Sequence, residues 1–389
     1  MATPREVSMV LFLNGPVQNG DFTFHDAPGK AVGIRLASTL NEIQGHTAAP
    51  HLWNTVTLSG DIRHRSQRRA SSPLSRVAFE HTRLMGKYGA VPPPSSVITD
   101  ADSEVGALAL TMIEEQLTDG SLRIGDATLQ ECSDCGHTVG LGAKRCTSCA
   151  SGRLRTRTSR NLIKENVPEG SLLPPELLHM SNRRRPRHLE AICRDVPRRL
   201  LLSRARTHGI HLDDIGLRGL VLDPRVGIHV TVLFAARREG SETALMTVTP
   251  NALAHIAAYG ESFTARRGLR LRYVLHGRVP YDALPELRRT YEFHRANDQD
   301  RRSFENRFLP LLSWHGKSRI HAGRLPALLK YFLKVTRADR HERDDELLGH
   351  VRDAIACGDS QWVMDKRLLA VALRSGPSQR GERPVVPHV

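Results

Sequence analysis

The chain is poor in lysine and aromatic residues and has no long apolar run, and each shortage narrows what it can be. Of its 56 basic residues only eight are lysine, so arginine carries the formal charge of +15 and the pI near 10.1. Arginine-rich, lysine-poor composition also follows from genomic base composition. The charge therefore leaves two readings open, a polyanion partner or a solvated basic surface. Dense runs lie at Arg63-His64-Arg65 to Arg69, at Arg183-Arg184-Arg185 and at Arg198-Arg199. No stretch approaches the roughly 20 apolar residues of a membrane span. Val7 to Leu13 is too short, and too little basic charge precedes it, for a signal peptide. The thiols fit a reducing cytoplasm, and 389 residues allow one large domain or two to three ordinary ones.

Four of the six cysteines form the most specific pattern. Cys132-Ser133-Asp134-Cys135 and Cys146-Thr147-Ser148-Cys149 are two Cys-x2-Cys pairs with ten residues between them. Each pair can clip one metal ion from a tight knuckle, and Gly136 eases the first turn. Four thiolates close a tetrahedral shell, which points to structural Zn2+ with no open catalytic position. Chance clustering or a disulfide pair is the alternative. A closed knuckle does no chemistry itself.

Val7 to Leu13 is an apolar run ended by Asn14-Gly15-Pro16, a buried strand followed by a loop. From Lys30 to Gln44, Val32, Leu36, Leu40 and Ile43 recur at helical spacing, and Gly45 stands where a helix is capped. Leu52 to Leu58 is strand-like again. Strand, loop, helix, strand is the opening of a parallel α/β sheet. Helices are predicted over 71–88 and 103–117, with polar linkers around the knuckle to about Glu169. A basic, proline-bearing stretch follows at 182–187. Val226 to Ala235 reads as a strand, or as a strand running into a helix. Helices over 249–258 and 283–289 bracket a strand over 271–275. Arg324 to Val335 and Asp344 to Cys357 are the closing helices, and 376–389 has the composition of a disordered tail.

This layout resembles class I aminoacyl-tRNA synthetases of the methionyl type. That family opens with a strand, an Asn-Gly-Pro-like loop, a His-x-Gly-His signature and a long helix ending in an Arg-Gly-His-like turn. Here the chain reads Leu13-Asn14-Gly15-Pro16, Phe24-His25 to Gly29-Lys30, and Ile43-Gln44-Gly45-His46. Leu201-Leu202-Ser203-Arg204 looks like the family's Ile-Ser-Arg element. Val221-Leu222-Asp223 and Gly227-Ile228 look like its Trp-Leu-Asp-Ala-Pro-Ile-Gly-Tyr element. Leu275-His276-Gly277 falls at its Gly-Lys-Asp loop, and Trp314 to Arg319, with Lys317 and Ser318, at its KMSKS loop.

The resemblance implies a Rossmann-type parallel-sheet core split by a zinc-knuckle connective insertion, with a short helical C-terminal region. The implied boundaries are 1–100 and 196–335 for the two halves of the core, 101–195 for the insertion, 336–375 for the helices and 376–389 for the tail. It also implies activation of an amino acid by ATP, taken up with Mg2+, in which the carboxylate attacks the α-phosphorus and pyrophosphate leaves. The protein's part is positioning and charge stabilisation. His25 and Lys317 are then the catalytic candidates. Gly29, Lys30, Gly277 and Ser318 join them around ATP, and Asp61 and Asp223 are placed at the substrate.

The sequence departs from the family at several of these points. Ala27-Pro28 stands where glycine and the second histidine are expected, and proline removes a backbone donor. The first KMSKS lysine is absent, and Gly277-Arg278-Val279 lacks the ribose-binding aspartate. Loss of one charge-assisted donor typically costs about 10² to 10³ in rate. Val221 replaces the aromatic wall that packs a thioether, which argues against methionine as substrate. Only a short stretch follows the KMSKS-like run, so anticodon reading is not expected. Two functions remain: a ligase serving a small-molecule acceptor (natural-product biosynthesis, hydrazine-type, with a partner enzyme) or a tRNA end, and an inactive paralogue that binds RNA or a protein partner.

Overall fold

Alternate residues of the central strands face two different hydrophobic clusters, as a sheet covered on both sides requires. In the computed structural model the described residues are 6–9, 28–45, 51–53, 97–99, 102–134, 138–139, 142–146, 150–165, 178–179, 196, 198–205, 209–238, 240–248, 250–316, 319–338 and 344–375. In chain order the first elements are β1 (Glu6–Met9), α1 (Pro28–Gln44), β2 (His51–Trp53), β3 (Val97–Thr99) and α2 (Ser103–Thr118). Next come β4 (Arg123–Cys132), β5 (Thr138–Val139), β6 (Leu154–Glu165), β7 (Leu178–His179), β8 (Arg199–Leu201), β9 (Ser203–Ala205) and β10 (Leu220–Leu222). The second part holds α3 (Pro224–Arg238), β11 (Thr243–Val248), α4 (Pro250–Ala265) and β12 (Arg270–Leu275). Helices close the chain: α5 (Arg288–Phe293), α6 (Asp298–Ser303), α7 (Leu309–His315), α8 (Leu325–Thr336), α9 (Asp344–Cys357) and α10 (Lys366–Arg374).

The main sheet has the order β1-β11-β12-β7 and is parallel throughout. Ala244, Met246 and Val248 of β11 and Leu271, Tyr273 and Leu275 of β12 belong to the cluster built with α2, α3 and α4. Leu245 and Val274 face the other way, into a cluster with α1 and the C-terminal helices. That second cluster runs from Val279 through Leu373, so the closing helices are one packed body with the sheet's second face. A separate parallel pair, β2 with β3, lies against α3.

Two expectations are corrected. The run from Val226 to Ala235 is helix along its whole length, within α3. Its valines and isoleucine suggest a strand, but the helix is enclosed on nearly every side, so it shows no polar stripe. The start signal is the Asp223-Pro224 pair. The Asp223 carboxylate accepts the Arg225 N–H at 2.9 Å, and proline is pre-set for the first helical position. Thr231 turns its hydroxyl inward, donating to the Gly227 carbonyl at 2.8 Å.

The expected polar linkers around the cysteines are instead a long antiparallel hairpin. Residues 123–132 pair continuously with 154–163, and β8 extends the sheet. Strand alternation was hard to see because much of it faces water. Arg155, Thr156, Arg157 and Thr158 are all exposed, and apolar burial returns only at Leu162 and Ile163. β11 and the helices over 298–315 and 366–374 had no counterpart in the sequence reading. The helix predicted over 71–88, the basic stretch at 182–187 and the tail lie outside the described residues.

Candidate active site

Strands β11 and β12 end at one edge of the sheet, where the segment leaving β12 meets the end of α7. The His276 N–H donates to the Val248 carbonyl at 3.1 Å, so β11 and β12 stay paired to their C-terminal ends. Gly277 follows, and its N–H donates to the Ser313 carbonyl of α7 at 3.0 Å. Arg278 and Arg319 form a parallel bridge, and the Ile320 N–H donates to the Arg278 carbonyl at 2.9 Å. Gly277 and Arg278 are therefore tied to Ser313, Arg319 and Ile320, on both sides of the Lys317-Ser318 pair in sequence. Gly316 ends α7 with its N–H on the Leu312 carbonyl at 2.7 Å. A Cβ there would press on that same carbonyl, at 2.8 Å.

Helix α1 enters from the same side. Its Gly33 carbonyl accepts the Thr247 hydroxyl at 3.2 Å, next to the last residue of β11. The first turn of α1, Pro28-Gly29-Lys30, thus starts near the strand ends, where a helix N-terminus can face a phosphate. Gly29 and Lys30 are placed by their backbone only. His25, Asp61, Lys317 and Ser318 lie outside the described residues.

Asp223 lies deep among α3, α4 and β9, in a network of charges that the sequence reading missed. It accepts Arg204 Nε at 2.7 Å, and Arg225 Nε and Nη2 at 2.8 and 2.9 Å. Burial would raise its carboxyl, but Arg225 and then Arg204 hold it well below the usual carboxylate range. Arg225 is raised in turn, since Asp223 outweighs the burial that would lower it. Its guanidinium stacks on Tyr259, 3.4 Å from the ring centre. One helical turn on, His229 is fully enclosed. Its Nδ1 lies 2.6 Å from the Arg225 carbonyl and its Nε2 2.9 Å from the Tyr273 hydroxyl of β12. Burial lowers its pKa to about 4, so the ring is neutral at physiological pH. Lys164 from the hairpin reaches α4, donating to the Ala258 carbonyl and Ser262 hydroxyl at 2.9 and 3.2 Å. The sequence signal for all this was Asp-Pro-Arg at a strand end.

Cys132 and Cys146 are buried in one small cluster with Val139, and neither is in a disulfide. The Ala150 N–H donates to the Cys146 carbonyl at 2.9 Å, closing a tight turn with Ala150 in the left-handed region at φ 59°. A buried thiol pair at a strand end and a tight turn fits half of a tetrathiolate site. Cys135 and Cys149 lie outside the described residues. Among the described residues, no group of three His, Cys, Asp or Glu could hold a metal ion, and no helix is long and apolar enough to cross a membrane.

The doubly covered parallel sheet, with a hairpin inserted between its parts, is a fold shared with solved aminoacyl-tRNA synthetases. The solved structures it is similar to are methionyl-tRNA synthetases. The Mycobacterium tuberculosis methionyl-tRNA synthetase in complex with methionyl-adenylate superposes with a TM-score of 0.58, over 96% of this chain and 82% of that one, at 10% identity. A second methionyl-adenylate complex of the same enzyme gives 0.57 over 95% and 83%, at 9% identity. Its free form gives 0.57 over 95% and 80%, also at 9%. No family model matches the sequence, and no curated protein matches it either.

Proposed function

We propose that the protein is an ATP-dependent ligase that activates an amino acid as its adenylate. It then passes the acyl group to a small-molecule hydroxyl or amine, of the kind used in hydrazine-type natural products, or to a tRNA end without anticodon reading. The observation that carries this is the meeting of the Gly277–Arg278 and Gly316–Arg319 loops at the strand ends, on a synthetase fold. The amino-acid carboxylate attacks the α-phosphorus of ATP, and pyrophosphate leaves with its Mg2+. His25 and Lys30 donate to the phosphates from the start of α1, while Gly29 lets the backbone approach. Lys317 and Ser318 close from the opposite loop, and Gly277 lies under the adenosine. Asp61 and Asp223 serve the amino-acid side. Cys132, Cys135, Cys146 and Cys149 hold a structural Zn2+ that fixes the hairpin tip. The setting is cytoplasmic, and a partner enzyme uses the product.

Amino-acid-dependent exchange of labelled pyrophosphate into ATP tests the reading. Exchange with one amino acid, lost on Lys317→Ala and on His25→Ala, is expected. The second reading is an inactive paralogue that binds RNA or a protein, favoured by Ala27-Pro28 and Arg278-Val279 in place of the signature residues. No exchange with any proteinogenic amino acid, together with tRNA binding that weakens steeply with salt, establishes that reading instead.

A further inference from the structure

The last three helices, α8, α9 and α10, enclose a cleft of about 170 Å³. Val335 of α8 and Ala370 of α10 are buried beneath it, and half-buried Leu347 of α9 joins them, so most of its lining is apolar. An apolar cavity of about 150 Å³ takes up a single benzene ring. The cleft therefore admits one ring or a chain of about six carbons.

Its lip is cationic. Lys334, Lys366 and Arg367 line the cleft and are exposed, and their side chains make no ion pair or hydrogen bond among the described residues. A fourth cation, Arg374, is already engaged: Nη2 donates to the Asp344 carboxylate and Nη1 to the Ala338 carbonyl, each at 3.0 Å. Asp344 is the one acid in the lining, so Arg374 balances it and three positive charges stay uncompensated there. The neighbouring acid Asp365 caps α10, accepting the Arg367 and Leu368 N–H groups at 2.8 and 3.0 Å, and is not part of the lining.

These cations run against local helix chemistry. The first turn of a helix favours acidic side chains, because the macrodipole is positive there. α10 instead opens with Lys366 and Arg367 directly after its cap. Lysine is also scarce: two of the eight in the chain stand at this lip, which an arginine-rich composition does not supply. A local rule broken without a return in packing marks a functional position.

We propose that this cleft binds a small monocarboxylic acid, its ring or short chain against Val335, Leu347 and Ala370 and its carboxylate at Lys334, Lys366 and Arg367. The apolar lining selects for the body. The lip selects for the charge, since charge-assisted hydrogen bonds to a carboxylate are the stronger kind. None of these residues belongs to the strand-end site, so the inference stands apart from the ligase reading.

Isothermal titration of the full chain at fixed ionic strength tests it, with hexanoate and benzoate as probes. Acetate carries the charge without the body, and hexylammonium carries the body with the opposite charge. Saturable one-site binding of hexanoate or benzoate is expected, with acetate and hexylammonium at least tenfold weaker. Lys366→Glu/Arg367→Glu is expected to weaken binding at least tenfold without lowering the thermal midpoint, because both residues are exposed and glutamate suits the start of α10. Lys334→Gln, on α8, is expected to weaken it at least threefold with α10 untouched. Absence of saturable binding by both acids overturns the proposal. So does unchanged affinity in either variant, or binding of acetate or hexylammonium as tight as that of hexanoate; the cleft would then be a packing gap under a solvated basic surface.

Discussion

Gly260 sits in the middle of α4, where helix propensity alone favours alanine by about 1 kcal/mol. The structure reverses that expectation. A Cβ built on Gly260 collides with the Nδ1 side of the His229 ring, far closer than van der Waals contact. The ring cannot step aside cheaply, because it is fully buried and both nitrogens are engaged, with the Arg225 carbonyl and the Tyr273 hydroxyl. Overpacking of this kind costs about 1–3 kcal/mol. Displacing the ring also leaves a buried carbonyl or hydroxyl without its partner, a further cost of about 1–3 kcal/mol. Against the helix gain, Gly260→Ala is expected to destabilise by about 1–5 kcal/mol. Gly106, in the first turn of α2, is the control, since a Cβ there meets nothing within 4 Å. Gly106→Ala is expected to raise the thermal midpoint slightly, and Gly260→Ala to lower it clearly. In the double variant His229→Ala/Gly260→Ala the methyl has room, so the two losses should add to less than their sum. A Gly260→Ala protein as stable as the parent, or strict additivity in the double variant, refutes the reasoning.

His229 also sets an acid limit. Its folded pKa of about 4 lies below the ordinary value near 6.5, so the unfolded chain binds the proton more readily. Stability is full above about pH 6.5 and falls as pH drops towards 4, by roughly 3 kcal/mol in total from this group. Thermal midpoints between pH 7.5 and 4.5 should fall less steeply in His229→Gln; parallel curves would show that the histidine is not responsible. At the hairpin tip, a zinc chelator is expected to lower the midpoint, and Cys132→Ser to lose bound metal and solubility before any chemical step. A midpoint indifferent to chelator, with no metal in the purified protein, counts against the zinc site.

Much of the fold was legible because its signals are local. Val32, Leu36, Leu40 and Ile43 at helical spacing give α1, and the structure buries all four. The closing helix over Asp344–Cys357 has the bounds expected of it. Where the reading failed, tertiary surroundings outweighed local preference. α3 is rich in β-branched residues yet helical, because a capped start and enclosure on nearly every side leave no stripe to detect. The hairpin was hidden because the tip half of its second strand is exposed arginine and threonine, so that strand buries apolar side chains only at the base. The site was legible as loops: Gly277 and the Gly316–Arg319 segment were named separately, and hydrogen bonds between them could only be seen in the fold.

The sequence by itself pointed to the fold. The order of strands, helices and glycine-bearing loops is a one-dimensional pattern, and the fold it implies is shared with a structure only 10% identical. Tertiary structure alone decided how charge is arranged inside that fold. Arg204, Asp223, Arg225, His229, Tyr259 and Tyr273 come from four separate elements, and nothing in their spacing announces that they touch. Burial then fixes what each does. It keeps His229 neutral and draws two arginines onto one carboxylate, because an unpaired charge away from water costs more than the conformational freedom given up to pair it.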